Sequence, residues 1–300
     1  MKRSTLFAIA ISCAPGLVAA QTVTGGLTLS YGELDGGFGT SDIKAKGLDG
    51  RMKVAFGNGA SLGVQVGKID MPISGTPVTL EGEFFALDGA YRFGNGVKVG
   101  AFVDRLTMGA DIAPIDITLK TNGVSLGYEG QVFEVESFVG NTSLSPAMLA
   151  VDIDNLGITA SYTGKPGLEV GATYLRAKLS SGGMSENIDF TGVGATYVLG
   201  QSYIVFGGIS QADFFLGGTE LDTMGLGVGY DLAAMTGFGA TVSLELAQTE
   251  AGGTTDIDTI RFGLTLPFGK SGPALPMNSV ADSILNPRHG AFNAALTAAF

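Results

Sequence analysis

Few groups in this chain can do chemistry, and their types are restrictive. His289 is the single histidine and Cys13 the single cysteine. Cys13 lies within the first twenty residues and His289 beyond the last strand-like segment. The body of the chain therefore offers no His base for a nucleophile and no Cys/His metal cluster. Carboxylates are plentiful, 28 Asp and Glu against 17 Lys and Arg, yet no spacing singles out an acid–base pair. No enzyme activity, metal or cofactor is expected. Gly36-Gly37-Phe38-Gly39-Thr40-Ser41-Asp42 has the look of a calcium-binding glycine repeat, but it occurs once with its Asp displaced, and it reads as a flexible loop.

What the charges can do is set a field. Arg51, Lys53, Arg92, Lys98 and Arg261 alternate with apolar residues near the two ends of the repetitive region, and Glu134, Glu136, Glu169 and Glu245 do the same on later segments. Alternation places such residues on one face of a strand and the apolar residues on the other. If the first and last strands meet, a basic wall faces an acidic one across a wet interior, an arrangement that sets ion preference in pores. Asp49 and Asp88 share the basic wall and weaken it, and local pairing of Asp88 with Arg92 would erase the field there. A second set, Glu83, Asp154, Asp189, Asp222 and Asp258, lies eight residues before Tyr91, Tyr162, Tyr197, Tyr230 and Leu266. An even offset keeps acid and anchor on one face, about 20 Å apart along a tilted strand. These acids read as boundary markers that keep the loops soluble, or as a ring able to bridge divalent cations to anionic lipid.

The elements that position these charges are strands. Gly fills 48 of 300 positions, 45% of residues are apolar and 15% charged, a composition that suits turns and closely approached strands rather than long helices. Period-two runs such as Leu156-Ile158-Ala160-Tyr162 and Ile260-Phe262-Leu264-Leu266-Phe268 each give a strand with one apolar face. Seven segments end in an aromatic or lie against one, at Phe56, Tyr91, Tyr128, Tyr162, Tyr197, Tyr230 and Phe268, and spacings near 35 residues make the unit a hairpin with its connection. Tight-turn signals such as Gly57-Asn58-Gly59 and Gly94-Asn95-Gly96 follow most anchors, whereas the opposite connections are longer and polar. Seven hairpins give about 14 strands (12 to 16), long enough to cross a bilayer when tilted. Closure is then obligatory, because hydrocarbon leaves no partner for an open sheet edge.

At the N-terminus Lys2 and Arg3 precede an apolar stretch ending in Val18-Ala19-Ala20, which reads as a cleavable secretory signal over residues 1–20. Without those two bases the chain carries 15 basic and 28 acidic residues, a formal charge of −13, and nucleic acid is not an expected partner. The expected organisation is a signal at 1–20, a barrel at 21–268 and a tail at 269–300. The tail, broken by Pro273, Pro276 and Pro287, is expected to form short helices over Ser279–Leu285 and Arg288–Ala299, in the periplasm or as a plug.

From Gln21 to Phe268 the chain resembles a Gram-negative outer-membrane porin, and Phe262-Gly263-Leu264-Thr265-Leu266-Pro267-Phe268 is similar to the terminal signal read by the barrel-assembly machinery. The resemblance implies an all-β, transmembrane, antiparallel up-and-down barrel with short periplasmic turns and longer extracellular loops. It further implies an aromatic girdle at the seven anchors, outer-membrane lipid as a partner, a monomer or homo-oligomer, and passive diffusion of small hydrophilic solutes past the nine inward charges. Two departures stand out: 32 residues follow Phe268, and no long connection is available to fold inward as a constriction. The rival readings are a non-conducting structural or adhesive barrel, a carrier of apolar ligands and a soluble secreted module. The small polar inward residues speak against the carrier.

Overall fold

The computed structural model describes residues 22–36, 43–112, 116–146, 151–164, 167–214, 219–236, 239–253, 255–269 and 274–299. The expected signal segment, most of the Gly36–Asp42 loop and Phe300 lie outside them. Fourteen strands run in chain order: β1 Thr22–Asp35, β2 Ile43–Ala55, β3 Ala60–Pro72, β4 Thr79–Arg92, β5 Val97–Ala110, β6 Ile117–Glu129, β7 Phe133–Ser145, β8 Asp152–Thr163, β9 Leu168–Ser181, β10 Met184–Leu199, β11 Tyr203–Phe214, β12 Thr219–Asp231, β13 Thr241–Ala251 and β14 Thr255–Phe268. Among the described residues three helices accompany the strands: α1 Ala233–Thr236, between β12 and β13, then α2 Val280–Leu285 and α3 Ala291–Ala299 in the tail.

Each strand pairs antiparallel with its neighbours in sequence, and β1 pairs with both β2 and β14, so the sheet closes. At the seam Leu27 stands opposite Gly50 on one side and Leu266 on the other. Every ladder has two partners, which removes the free edge that hydrocarbon would not tolerate.

Period two decides what faces where. Leu226, Ile209 and Val139 project outward and are 65%, 59% and 59% exposed, whereas Thr28, Thr173, Thr249 and Thr265, on the inward set, are buried. Inward threonines pair across strands, Thr28 with Thr265 at 2.9 Å and Thr121 with Thr142 at 2.6 Å. The exterior is thus apolar, as a bilayer-spanning barrel needs, whereas the inward set mixes these threonines with large apolar side chains such as Leu175, Phe190 and Phe206.

The tight turns follow their local chemistry. After β2, Phe56 N–H donates to Ala60 O at 2.8 Å and Asn58 Oδ1 accepts from Ala60 N–H at 3.1 Å. Gly59 takes φ +92°, which an L side chain rarely adopts. Gly96 repeats the device after β4. At this end Tyr91, Tyr128, Tyr162, Tyr197, Tyr230 and Phe268 project outward on the apolar face. Aromatics across the turns join them: Tyr203 lies 4.9 Å from Tyr230, Phe133 5.4 Å from Tyr128 and Phe93 5.0 Å from Tyr91 between ring centroids.

Candidate functional site: a lumen holding its own tail

The tail turns back into the barrel. Its path is set by inward glycines on β9 to β12, namely Gly171, Gly192, Gly194, Gly208 and Gly225. A Cβ added at Gly192 or Gly208 would lie 2.7 Å from an Ile284 side-chain carbon, at Gly225 2.6 Å from Val280, and at Gly171 2.7 Å from Leu285. The missing side chains form the niche that α2 fills, and Val280, Ala281 and Ile284 are almost wholly buried there. Burial of an aliphatic side chain of this size is worth about 1.5–3 kcal/mol. Farther along, Ala291, Ala294, Ala295 and Ala298 of α3 join Phe138, Ile153, Leu175 and Phe190 of the wall in one apolar cluster.

Polar contacts fix orientation. Ser279 caps α2, its Oγ accepting from Asp282 N–H at 3.1 Å. Glu245 Oε1 accepts from Val280 N–H at 2.9 Å, at the helix start, where negative charge is favoured. The other oxygen of Glu245 accepts from Arg261 Nη1 at 2.9 Å, a pair formed directly across β13 and β14. Arg261 in turn donates to Asn278 O at 3.1 Å and, from Nη2, to Ala298 O at 3.2 Å, where α3 ends. One ion pair of the wall thus holds the start of one helix and the end of the other.

The connection between the helices crosses the lumen. Arg51 donates to both Asp282 oxygens, at 3.0 and 2.9 Å, and Arg288 donates to Asp49 at 3.3 Å while its guanidinium lies 3.9 Å over the Phe84 ring. His289 stacks 3.7 Å from Phe102, and both its backbone N–H and its ring meet Asp104 Oδ2, at 3.1 and 3.2 Å. Sequence position had put His289 outside the barrel; the returning tail brings it inside.

Two cavities flank this crossing. Toward the long connections lies a space of about 490 Å³ walled by Ile43, Ile69, Met71, Leu80, Phe84 and Leu106, with Arg288 and Asn293 of the tail beneath. Toward the short turns lies one of about 240 Å³, lined by Arg51, Lys53, Asp88, Lys98, Glu134 and Glu136. The expectation that small polar inward residues leave no greasy pocket fails in the first, where Ile43, Ile69, Met71, Leu80, Phe84 and Leu106 gather around the small inward residues Ala45, Gly47, Gly67 and Gly82.

Of the nine charges picked out in the sequence, the structure brings several together. Lys98 pairs with Glu134 at 2.6 Å and also with Glu136, Arg261 pairs with Glu245 and Arg51 with the tail. Basic and acidic walls do not oppose each other as separate fields; their charges are paired by an adjacent strand (Arg261 with Glu245), by a strand two away (Lys98 with Glu134 and Glu136) or by the tail (Arg51 with Asp282). Arg92 sits at the rim and pairs with Glu129 at 3.6 Å rather than with Asp88. Lys53 lines the smaller cavity, and Glu169 lies on the inward register of β9 opposite Thr163 and Thr196. Sequence reasoning missed Asp49, Asp104 and Asp282 as partners. The available signal was the row of glycines at inward positions of adjacent strands, a surface made for something to lie against.

A Gram-negative porin family model matches residues 73–214. No curated protein matches in sequence. Among solved structures, an anion-selective porin from Comamonas acidovorans superposes with TM-score 0.55 and 11% identity, covering 83% of this chain and 100% of that one. A FadL homologue from Pseudomonas aeruginosa gives 0.53 and 11%, with 83% and 90% covered. The toluene transporter TbuX of Ralstonia pickettii gives 0.51 and 12%, with 85% and 90% covered. At such identities the likeness to these structures is one of fold. With the family match over residues 73–214 and the closed fourteen-strand barrel, the chain is an outer-membrane barrel similar to the Gram-negative porins.

Proposed function

We propose that this outer-membrane channel takes small, largely apolar molecules into the cavity above its tail, with the C-terminal segment as the stopper of the lumen. The observation that carries this reading is the space of about 490 Å³ with aliphatic and aromatic walls, of a size and character suited to a small ligand. Its floor presents Arg288 already engaged by Asp49 and Arg261 already engaged by Glu245, so it offers no free charge to an ionic solute. The fold neighbour described as a toluene transporter agrees in kind. In this reading residues 1–20 direct secretion, 21–268 form the conduit and 269–300 form the stopper, while the segment ending at Phe268 is what the assembly machinery recognises.

Calorimetric titration of the detergent-solubilised full chain with a monocyclic aromatic hydrocarbon, and with a sugar of similar size, tests it. Binding of the hydrocarbon alone is expected, and binding of the sugar alone overturns the reading. The second reading, diffusion of small hydrophilic solutes, is favoured by the charged smaller cavity around Lys53, Asp88 and Lys98. It requires steady single-channel conductance from the intact chain.

A further inference from the structure

The outward charges at the extracellular rim follow a pairing rule that is broken once. Seven basic residues project outward from the described strands. Five stand directly opposite an acid on a neighbouring strand: Lys44 opposite Glu33, Lys46 opposite Asp70, Lys68 opposite Glu83, Arg176 opposite Asp189 and Lys178 opposite Asp154. The other two, Arg105 and Lys120, stand opposite each other. Their remaining cross-strand partners are Phe85 and Ser143. Both side chains are exposed, neither makes an ion pair among the described residues, and Arg105 spends only its Nε, on Thr107 at 3.3 Å.

Like charges directly opposite in a sheet are destabilising. The position sharpens the anomaly: Lys120 lies eight residues before Tyr128, the offset at which Glu83, Asp154, Asp189 and Asp222 precede their own tyrosines. A ring of carboxylates at the outer interface therefore carries a base on β6, reinforced by the arginine beside it on β5. Phe85 stands level with Arg105, and toward the membrane centre the next outward pair is Val103 opposite Asn122, followed by Val124, all exposed.

We propose that Arg105 and Lys120 form a binding site for the phosphate of an anionic lipid in the outer leaflet, its acyl chain running down over Phe85, Val103 and Val124. The guanidinium supplies planar paired donors and the ammonium a point charge. The bound phosphate relieves the repulsion between them. The patch faces lipid, not the lumen, so this site is independent of what the channel carries.

The test is native mass spectrometry of the full-length protein in detergent, titrated with phosphatidic acid or phosphatidylcholine. The expected result is one phosphatidic acid held about tenfold more tightly than phosphatidylcholine. Arg105→Gln/Lys120→Gln loses that preference, while Lys44→Gln/Lys46→Gln, with the same change in charge, keeps it. Because the first pair of substitutions removes a repulsion, its barrel should resist heat in gel mobility at least as well as the native one, which separates lost binding from lost folding. Equal preference in both double variants overturns the proposal. So does complete displacement of the lipid by an equal concentration of inorganic phosphate, which marks an anion site without lipid character.

Discussion

Two sides of one lumen hold the tail by different means. On β9 to β12 the wall supplies absence: glycines at inward positions let Val280, Ile284 and Leu285 approach the backbone, and the contact is apolar and shape-determined. On β2 to β5 the wall supplies partners: Arg51, Asp49 and Asp104 take up Asp282, Arg288 and His289 across open space, leaving a cavity on either side. Close packing decides where the helices lie, and charge decides how the crossing segment is anchored. One side cannot substitute for the other, because a glycine niche has no directionality and an ion pair fills no volume.

This difference can be broken from either side. The largest effect is expected for Arg51→Ala, which strands the Asp282 carboxylate, only 4% exposed, without its bidentate partner. Loss of one member of a buried pair costs about 3–5 kcal/mol, and the tail should become accessible to proteolysis while the barrel stays folded in gel mobility. Arg51→Ala combined with Asp282→Ala should recover much of that loss, because no charge is then left buried alone. Next comes Gly192→Leu, whose side chain must displace Ile284 from the niche. Overpacking of this kind costs about 1–3 kcal/mol, and single-channel recordings should show conductance steps more often than in the native chain. Phe84→Ala is expected to weaken hydrocarbon binding in calorimetry by roughly tenfold, since it removes both a cavity wall and the ring beneath Arg288. Lys53→Gln, in the smaller cavity, should change thermal stability by no more than about 0.5 kcal/mol. It should leave hydrocarbon binding as it was.

The barrel was legible because its physics is local and repetitive. Alternation, turn glycines and evenly spaced anchors such as Tyr162 and Tyr197 each report a strand without reference to distant residues, and closure follows from the solvent. The interior was not legible in the same way. Parity places Arg51, Lys98, Glu134, Glu245 and Arg261 inward, but which partner each meets depends on shear, on strands two apart and on a tail 231 residues from Arg51 in sequence. Lys98 illustrates this: its partners Glu134 and Glu136 lie on β7, beyond the intervening β6. The apolar cavity stayed hidden for a related reason. Alternation places Phe84 on the inward face, an odd offset from Tyr91, but it does not show that Ile69, Phe84 and Leu106 from successive strands gather into one apolar space.

The central claim is that the tail, seated in the glycine niche, stops the lumen. A Cβ built at Gly194 lies 3.3 Å from Ile284 Cβ, close to the separation a disulfide spans. Single-channel conductance of the Gly194→Cys/Ile284→Cys chain, recorded oxidised and then reduced, tests the claim most directly. Silence while the bond is closed and steps once it is reduced are the predicted result; steps of equal size and frequency in both states would contradict it.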